Sequence, residues 1–145
     1  MALFSVAGRT SGAGTTARPS VSIYAPANSG GWLKEVGIFN TTSTACAYRV
    51  ARLTATGTQG SALTEVAYQS DQDALMTCFD THSADATVSS SGFAQASLGA
   101  AIGSGVIWTF GGPGIWIPPG TTNGVGVVLA TGTGQILDYH LTWEE

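Results

Sequence analysis

Apolar and polar positions alternate most clearly toward the C-terminus. VIWTF from Val106, GIWIPP from Gly114, GVGVVLA from Gly124 and QILDYHLTW from Gln135 are β-rich runs separated by Gly, Pro and Thr. Runs of that length bounded by turn residues predict strands of one small sandwich or barrel. Upstream, VSIYA (21–25) alternates as an edge or half-buried strand does and is broken by Pro26, Asn28, Gly30 and Gly31. WLKEVGIFN (32–40) predicts a strand with Leu33, Glu35, Gly37 and Phe39 on one face and Trp32, Lys34, Val36 and Ile38 on the other, Gly37 marking a bulge or a close neighbour. ACAYRVARLTA (45–55) places Cys46, Tyr48 and Val50 on one side, and with the turn residues NTTST between them these two strands predict a hairpin. VAYQS (66–70) predicts a further short strand. Ala74, Leu75, Cys78 and Phe79 follow helical spacing, which predicts one short helix capped by Ser70 or Asp71, and residues 88–105 read as loop with one weak strand.

Residues 5–20 are mostly Gly, Ala, Ser and Thr with two arginines, too little apolar surface to order by themselves. Residues 1–20 are therefore expected to form an extended N-terminal arm that orders along a neighbour in an assembly. Residues 21–145 are expected to form a single all-β domain, an antiparallel β-sandwich or jelly-roll-like barrel with at most one short helix. A chain of 145 residues builds a core of its own without metal or disulfides. Only 10% of its residues are charged and 20 are Gly. A surface of Thr, Ser, Ala and Gly is cheap to desolvate and suits a protein packed against copies of itself or another protein.

Charge narrows the partners. The net charge is −4, and five Lys and Arg residues are scattered along the chain, which argues against binding nucleic acid. Arg49 and Arg52, the closest pair, fall on opposite faces of a strand. No run has the length of a membrane span, and the N-terminus lacks the basic start and apolar segment of a signal peptide, so the expected origin is the cytosol. Cys46 and Cys78 are expected as free buried thiols in preference to a disulfide, and neither has a Cys or His at metal-ligand spacing.

Candidate chemistry is sparse. Asp71, Asp73, Asp80 and Asp85 form an acidic stretch, but Met76 stands where an EF-hand needs Gly and His82 where it needs its bidentate Glu. Solvated turns and caps explain those aspartates better. His140 shares a strand face with Asp138, as an outer polar pair would, and no G-x-S-x-G accompanies it. The glycine-rich pieces do not match G-x-G-x-x-G, and nothing brings Glu35, Glu65 and Glu144 together as a carboxylate pair. No catalytic, metal-binding or cofactor-binding residue is assigned. The aromatics Trp32, Trp108, Phe110, Trp116 and Trp143 suit either a sugar-stacking surface or an interface anchor. Trp108 and Phe110 share a face with Val106 and read as core, while Trp116 stays open between core and subunit interface. Pro118 and Pro119 fix a rim that cannot join a sheet edge. The interface candidates are Arg9 and Arg18 in the arm, and Trp116, Ile117, Pro118 and Pro119 at the rim.

The stretch LKEVGIFNTTSTACAYRVARLTATGTQGSAL (33–63), with GIWIPPGTTNGVGVVLA and the closing HLTWEE, resembles small β-sandwich head proteins of tailed bacteriophages, the capsid decoration or cement proteins. The likeness is one of pattern: an E-x-G-(I/V)-F-N strand, a Pro-Gly turn and a W-x-E end, without a chemical signature. It implies a virion protein that binds the major capsid protein on the outer shell, often as a homotrimer, and stabilises the shell against internal DNA pressure. It implies no cofactor, membrane or nucleic-acid contact and carries over no catalytic residue. Two readings from other classes stand beside it: a carbohydrate- or receptor-binding sandwich of a phage tail, and a hydrolase using His140 or a carboxylate pair.

Overall fold

The last strand, β11 (Leu137–Glu144), shows how this sequence builds its fold. Leu137, Tyr139, Leu141 and Trp143 are buried, while Asp138, His140, Thr142 and Glu144 point the other way, the period-two pattern of a sheet with one face on the core. The structure, a computed structural model, describes residues 1–69 and 71–145. In the first sheet β11 lies between β1 (Leu3–Arg9) and β3 (Gly31–Asn40), with β5 (Val66–Ala67) beyond β1; β8 (Gly105–Thr109) and β9 (Ile115–Ile117) pair with the two ends of β3. The second sheet runs β6 (Thr77–Phe79), β2 (Val21–Tyr24), β10 (Gly124–Gly132), β4 (Cys46–Ala55) and β7 (Thr87–Leu98). Every pairing is antiparallel, and the sheets pack on each other as a β-sandwich without closing into a barrel. Among the described residues there is no helix. Phe4, Val6, Leu33, Ile38 and Trp143 from one sheet meet Val21, Ile23, Tyr48, Val50 and Val127 from the other in one core.

All four C-terminal runs are strands, β8 to β11. Several other expectations are corrected. The predicted hairpin does not form, because β3 and β4 belong to different sheets and residues 41–45 bridge the sandwich. Asn40 holds that bridge: its Nδ2 donates to the Thr44 and Gly99 carbonyls at 2.7 and 3.2 Å, and its Oδ1 accepts from the Thr42 amide at 3.1 Å. The predicted helix is absent. Cys78 points into the core from β6, and the helical spacing of Ala74, Leu75, Cys78 and Phe79 arises from a loop entering that strand. Ser70, offered as a helix cap and as the end of a strand, lies outside the described residues. The VSIYA run forms β2, which is fully buried in the sheet interior between β6 and β10 rather than an edge. The weak strand expected within 88–105 is β7, at 12 residues the longest in the molecule.

The N-terminal arm is also corrected. Residues 3–9 form β1, paired along their length with β11 and with Phe4 and Val6 in the core. Residues 10–20 then cross to the second sheet, fastened at each step: Thr10 exchanges hydrogen bonds with Leu137, the Leu129 amide donates to the Thr15 carbonyl, and the Ser20 amide donates to Val127. The buried Tyr48 hydroxyl donates to the Ala13 and Gln135 carbonyls and accepts from the Gln135 amide at 2.8 Å, joining this crossing to the loop before β11. Low apolar content is offset here by backbone hydrogen bonds that a sequence pattern does not display.

The outer face of the second sheet carries a small apolar layer of Tyr24, Leu53 and Ala86 with Phe79 and Val88 packed on it. His82 lies within it, 3% exposed, its Nε2 2.8 Å from Ser22 Oγ and its ring stacked on Tyr24. Burial holds the His82 pKa below its ordinary value of 6.5. The unfolded chain therefore binds a proton that the folded chain refuses, and stability falls as the pH drops below about 6.5. Thermal unfolding across that range should show the decline, and His82→Gln should flatten it; an unchanged slope in the variant would assign the decline to other groups.

Candidate functional site

Strand register lays out the outer face of the first sheet as four rows. Leu3, Glu144, Trp32 and Trp116 form the first; Ser5, Thr142, Glu35 and Thr109 the second; Ala7, His140, Gly37 and Ile107 the third; Arg9, Asp138, Phe39 and Gly105 the fourth. The rows depend on one irregularity. The β11–β3 register slips between Thr142 and Trp143, so that Lys34 and Glu35 both turn outward while Leu33 and Val36 both point into the core. The expected faces of β3 therefore hold only up to this bulge, beyond which they exchange.

Gly37, expected at a bulge or a close neighbour, is a close neighbour. A Cβ there would overlap the His140 ring, which lies flat across the strand. This position brings His140 Nε2 to 2.8 Å from Glu35 Oε1, and Thr109 Oγ1 donates to the other oxygen of Glu35 at 3.3 Å. His140 and Phe39 lie with ring centroids 6.5 Å apart. The pairing of His140 with Glu35 rather than Asp138 depends on cross-strand register, which periodicity along one strand does not reveal. Among the described residues no serine or threonine hydroxyl lies within hydrogen-bond distance of the His140 ring, and the one Ser–His contact, Ser22 with His82, is sealed from solvent.

The other charged groups on this face are matched within it. Arg9 Nε lies 2.7 Å from Asp138 Oδ1 and its Nη2 3.1 Å from Oδ2, a two-pronged contact that holds the Asp138 carboxyl below its usual pKa. Lys34 Nζ lies 2.6 Å from Glu144 Oε2. At the β9 end Trp116 is 40% exposed and tilted against Trp32, with centroids 4.8 Å apart and planes at 46°. Pro118 and Pro119 follow, and the turn closes at Gly120 (φ 125°), whose amide donates to Pro26, while Asn123 Nδ2 donates to the Pro119 carbonyl at 2.7 Å.

The six sequence-derived interface candidates do not converge. Arg9 and Trp116 share the outer face but stand in its fourth and first rows, at opposite ends of β3. Arg18 lies elsewhere, its Nε 2.8 Å from Asp85 on the segment that leads into β7. Ile117 is fully buried and backs the rim instead of presenting itself, while Pro118 is half-buried and Pro119 exposed. Trp108 and Phe110 are half-buried against the core, Trp143 is wholly inside it, and Trp116 resolves as a surface residue. Asp80 accepts from the Ser11 and Thr81 amides, so two members of the acidic stretch serve the backbone or an ion pair. Cys46 and Cys78 are free and buried. Among the described residues no cluster of His, Cys, Asp and Glu is arranged to hold a metal ion, and no helix is long and apolar enough to cross a membrane. Compared with protein-family models, with curated proteins and with solved structures, the chain finds no match.

Proposed function

We propose that this protein is a structural component of a tailed-phage particle, a capsid decoration protein that docks the outer face of its first sheet, with the Trp116 to Pro119 rim, onto the major capsid protein and stabilises the shell. The observation that carries this reading is the internal neutralisation of that face. Its arginine and lysine are paired with carboxylates as Arg9–Asp138 and Lys34–Glu144, and the Glu35 carboxyl is held by hydrogen bonds with His140 and Thr109, leaving Trp32, Trp116, Phe39 and Ile107 to meet a partner. A face that neutralises its own charge gives up less hydration on docking to a protein than one with free ions, and offers little to a polyanion. Repetition over a shell multiplies a modest contact into a large total, and copies grouped as a homotrimer would add to it. The resemblance of residues 33–63 and of the C-terminal runs to phage head proteins points the same way.

The test uses particles of the phage that encodes the chain. The protein should cosediment with purified heads, and heads lacking it should release DNA at lower temperature, with added protein restoring the wild-type value. Trp116→Lys with Phe39→Lys should abolish the restoration. Absence of the protein from purified particles, or restoration by the double variant, overturns the reading.

A second reading rests on the exposed Trp116 tilted against Trp32, a surface on which a sugar ring can stack. Glycans that quench tryptophan fluorescence saturably in the wild type but not in Trp116→Ala would favour a carbohydrate-binding module of the phage tail.

A further inference from the structure

Residues 80–86 link β6 to β7 and lie as a strap across the outer face of the second sheet. They occupy a slot between residues 11–19 and residues 56–61. The His82 and Ala86 amides donate to the Pro19 and Ala17 carbonyls at 3.0 and 2.9 Å, and the Ser83 amide donates to Thr58 at 2.9 Å. The slot fits the strap closely, since a Cβ on Gly57 or Gly60 would overlap its backbone at Asp85 or at Asp80 and Thr81.

Val21 and Ile23 of β2 face the main core, whereas Ser22 and Tyr24 face the strap. The layer beneath, Tyr24 and Leu53 with Ala86, is a cluster separate from the main core, so the strap can lift without dismantling the sandwich. His82 pins the strap to β2 through Ser22. Its Nδ1 is buried without a hydrogen-bond partner among the described residues. A protonated imidazole carries a donor on both nitrogens. Ser22 can accept one of them, and among the described residues no carboxylate lies within hydrogen-bond distance of the ring to balance the charge. Burial disfavours the protonated ring by more than the Thr56 backbone favours it. The closed strap therefore refuses a proton that an open one accepts, and falling pH favours opening.

We propose that the strap is an acid-released latch: a proton taken up from solvent by His82 frees residues 80–86 from β2 and uncovers Ser22 and Tyr24 while both sheets stay paired. The device is independent of shell binding. Carboxyl, guanidinium and phenol groups ordinarily titrate outside about pH 5–8, which leaves the imidazole as the group of this neighbourhood that changes charge there. On the strap itself, burial raises the Asp80 pKa, and hydrogen bonds from Ser11 and Thr81 bring it below the ordinary value. Asp85 forms an exposed ion pair with Arg18 of residues 11–19. Residues 54–64 carry no ionisable side chain, and β2 offers the Tyr24 hydroxyl, whose pKa burial raises. The arginines of β4 are engaged with β7, Arg49 donating to the Ser89 and Ser90 carbonyls and Arg52 lying over Phe93.

Hydrogen exchange on the full chain, with each rate taken relative to its intrinsic rate at that pH, reads the latch without any variant. Between about pH 7.5 and about pH 5.5 the opening of residues 82–86 should rise toward a limit of about tenfold, set by the uptake of one proton on an exposed imidazole of pKa about 6.5. Amides of β4, β10 and β11 should keep their protection over the same range. His82→Gln, which leaves a neutral amide beside Ser22, should remove the rise, and His140→Gln, which removes the other imidazole of the chain, should retain it. No rise within 82–86, a rise that survives in His82→Gln, or one that is lost in His140→Gln overturns the proposal. An equal rise in β4, β10 and β11 also overturns it, by showing that acid unfolds the whole sandwich at once.

Discussion

A chain beginning at residue 21 is expected to lose cooperative unfolding altogether. Removing residues 1–20 deletes β1, which leaves one edge of β11 unpaired and takes Phe4 and Val6 out of the core. At about 1.5–3 kcal/mol for each large buried side chain, these two alone reach a substantial share of a stability of about 5–15 kcal/mol. The deletion also uncovers the Phe4 side of Trp143 and removes the Ala13 carbonyl that accepts from Tyr48. Thermal or denaturant unfolding followed by circular dichroism checks the outcome. A cooperative transition close to that of the full chain would return residues 1–20 to the role of a dispensable arm.

The second large effect is expected from Trp143→Ala. Trp143 is the largest fully buried side chain, stacked on Phe4 with centroids 5.8 Å apart and planes at 23°. Truncating a buried Trp costs about 3–5 kcal/mol, because neighbours on two rigid sheets relax only partly into the space. The denaturant midpoint should fall accordingly with little change in its slope. Phe4→Ala should cost less in the Trp143→Ala background than in the wild type, since the stacked pair is already broken, and a double-mutant cycle measures that coupling. Strict additivity would show that Phe4 and Trp143 stabilise the core independently of their stacking.

What could be read from the residues was the strands and their inward faces wherever alternation ran unbroken, as in β11 and in Cys46, Tyr48 and Val50 of β4. What could not was decided by partners distant in sequence. The LFSV run at residues 3–6 alternates for too few positions to stand out from the Gly- and Thr-rich segment that follows, and its strand exists because β11 offers an edge. A five-residue link such as 41–45 serves equally as a hairpin loop or as a bridge between sheets; Asn40 bonding to both Thr44 and Gly99 selects the bridge. The outer face was the least legible. A bulge at Lys34 and Glu35 turns two consecutive side chains outward, and only cross-strand register brings Glu35 to His140 and Trp32 to Trp116.

The partnership of β1 with β11 has a consequence for how the protein is made. The Ala2 amide donates to the Glu145 carbonyl at 2.7 Å and the Glu145 amide to Ala2 at 3.1 Å, so the first strand of the sandwich takes its last one as a neighbour. Until residues 137–144 are in place, β1 has only the two-residue β5 to pair with, and β3 lacks the strand that separates it from β1. The first sheet is closed by strands far apart in sequence, a pairing that forms slowly and leaves apolar surface exposed to chaperones in the interval.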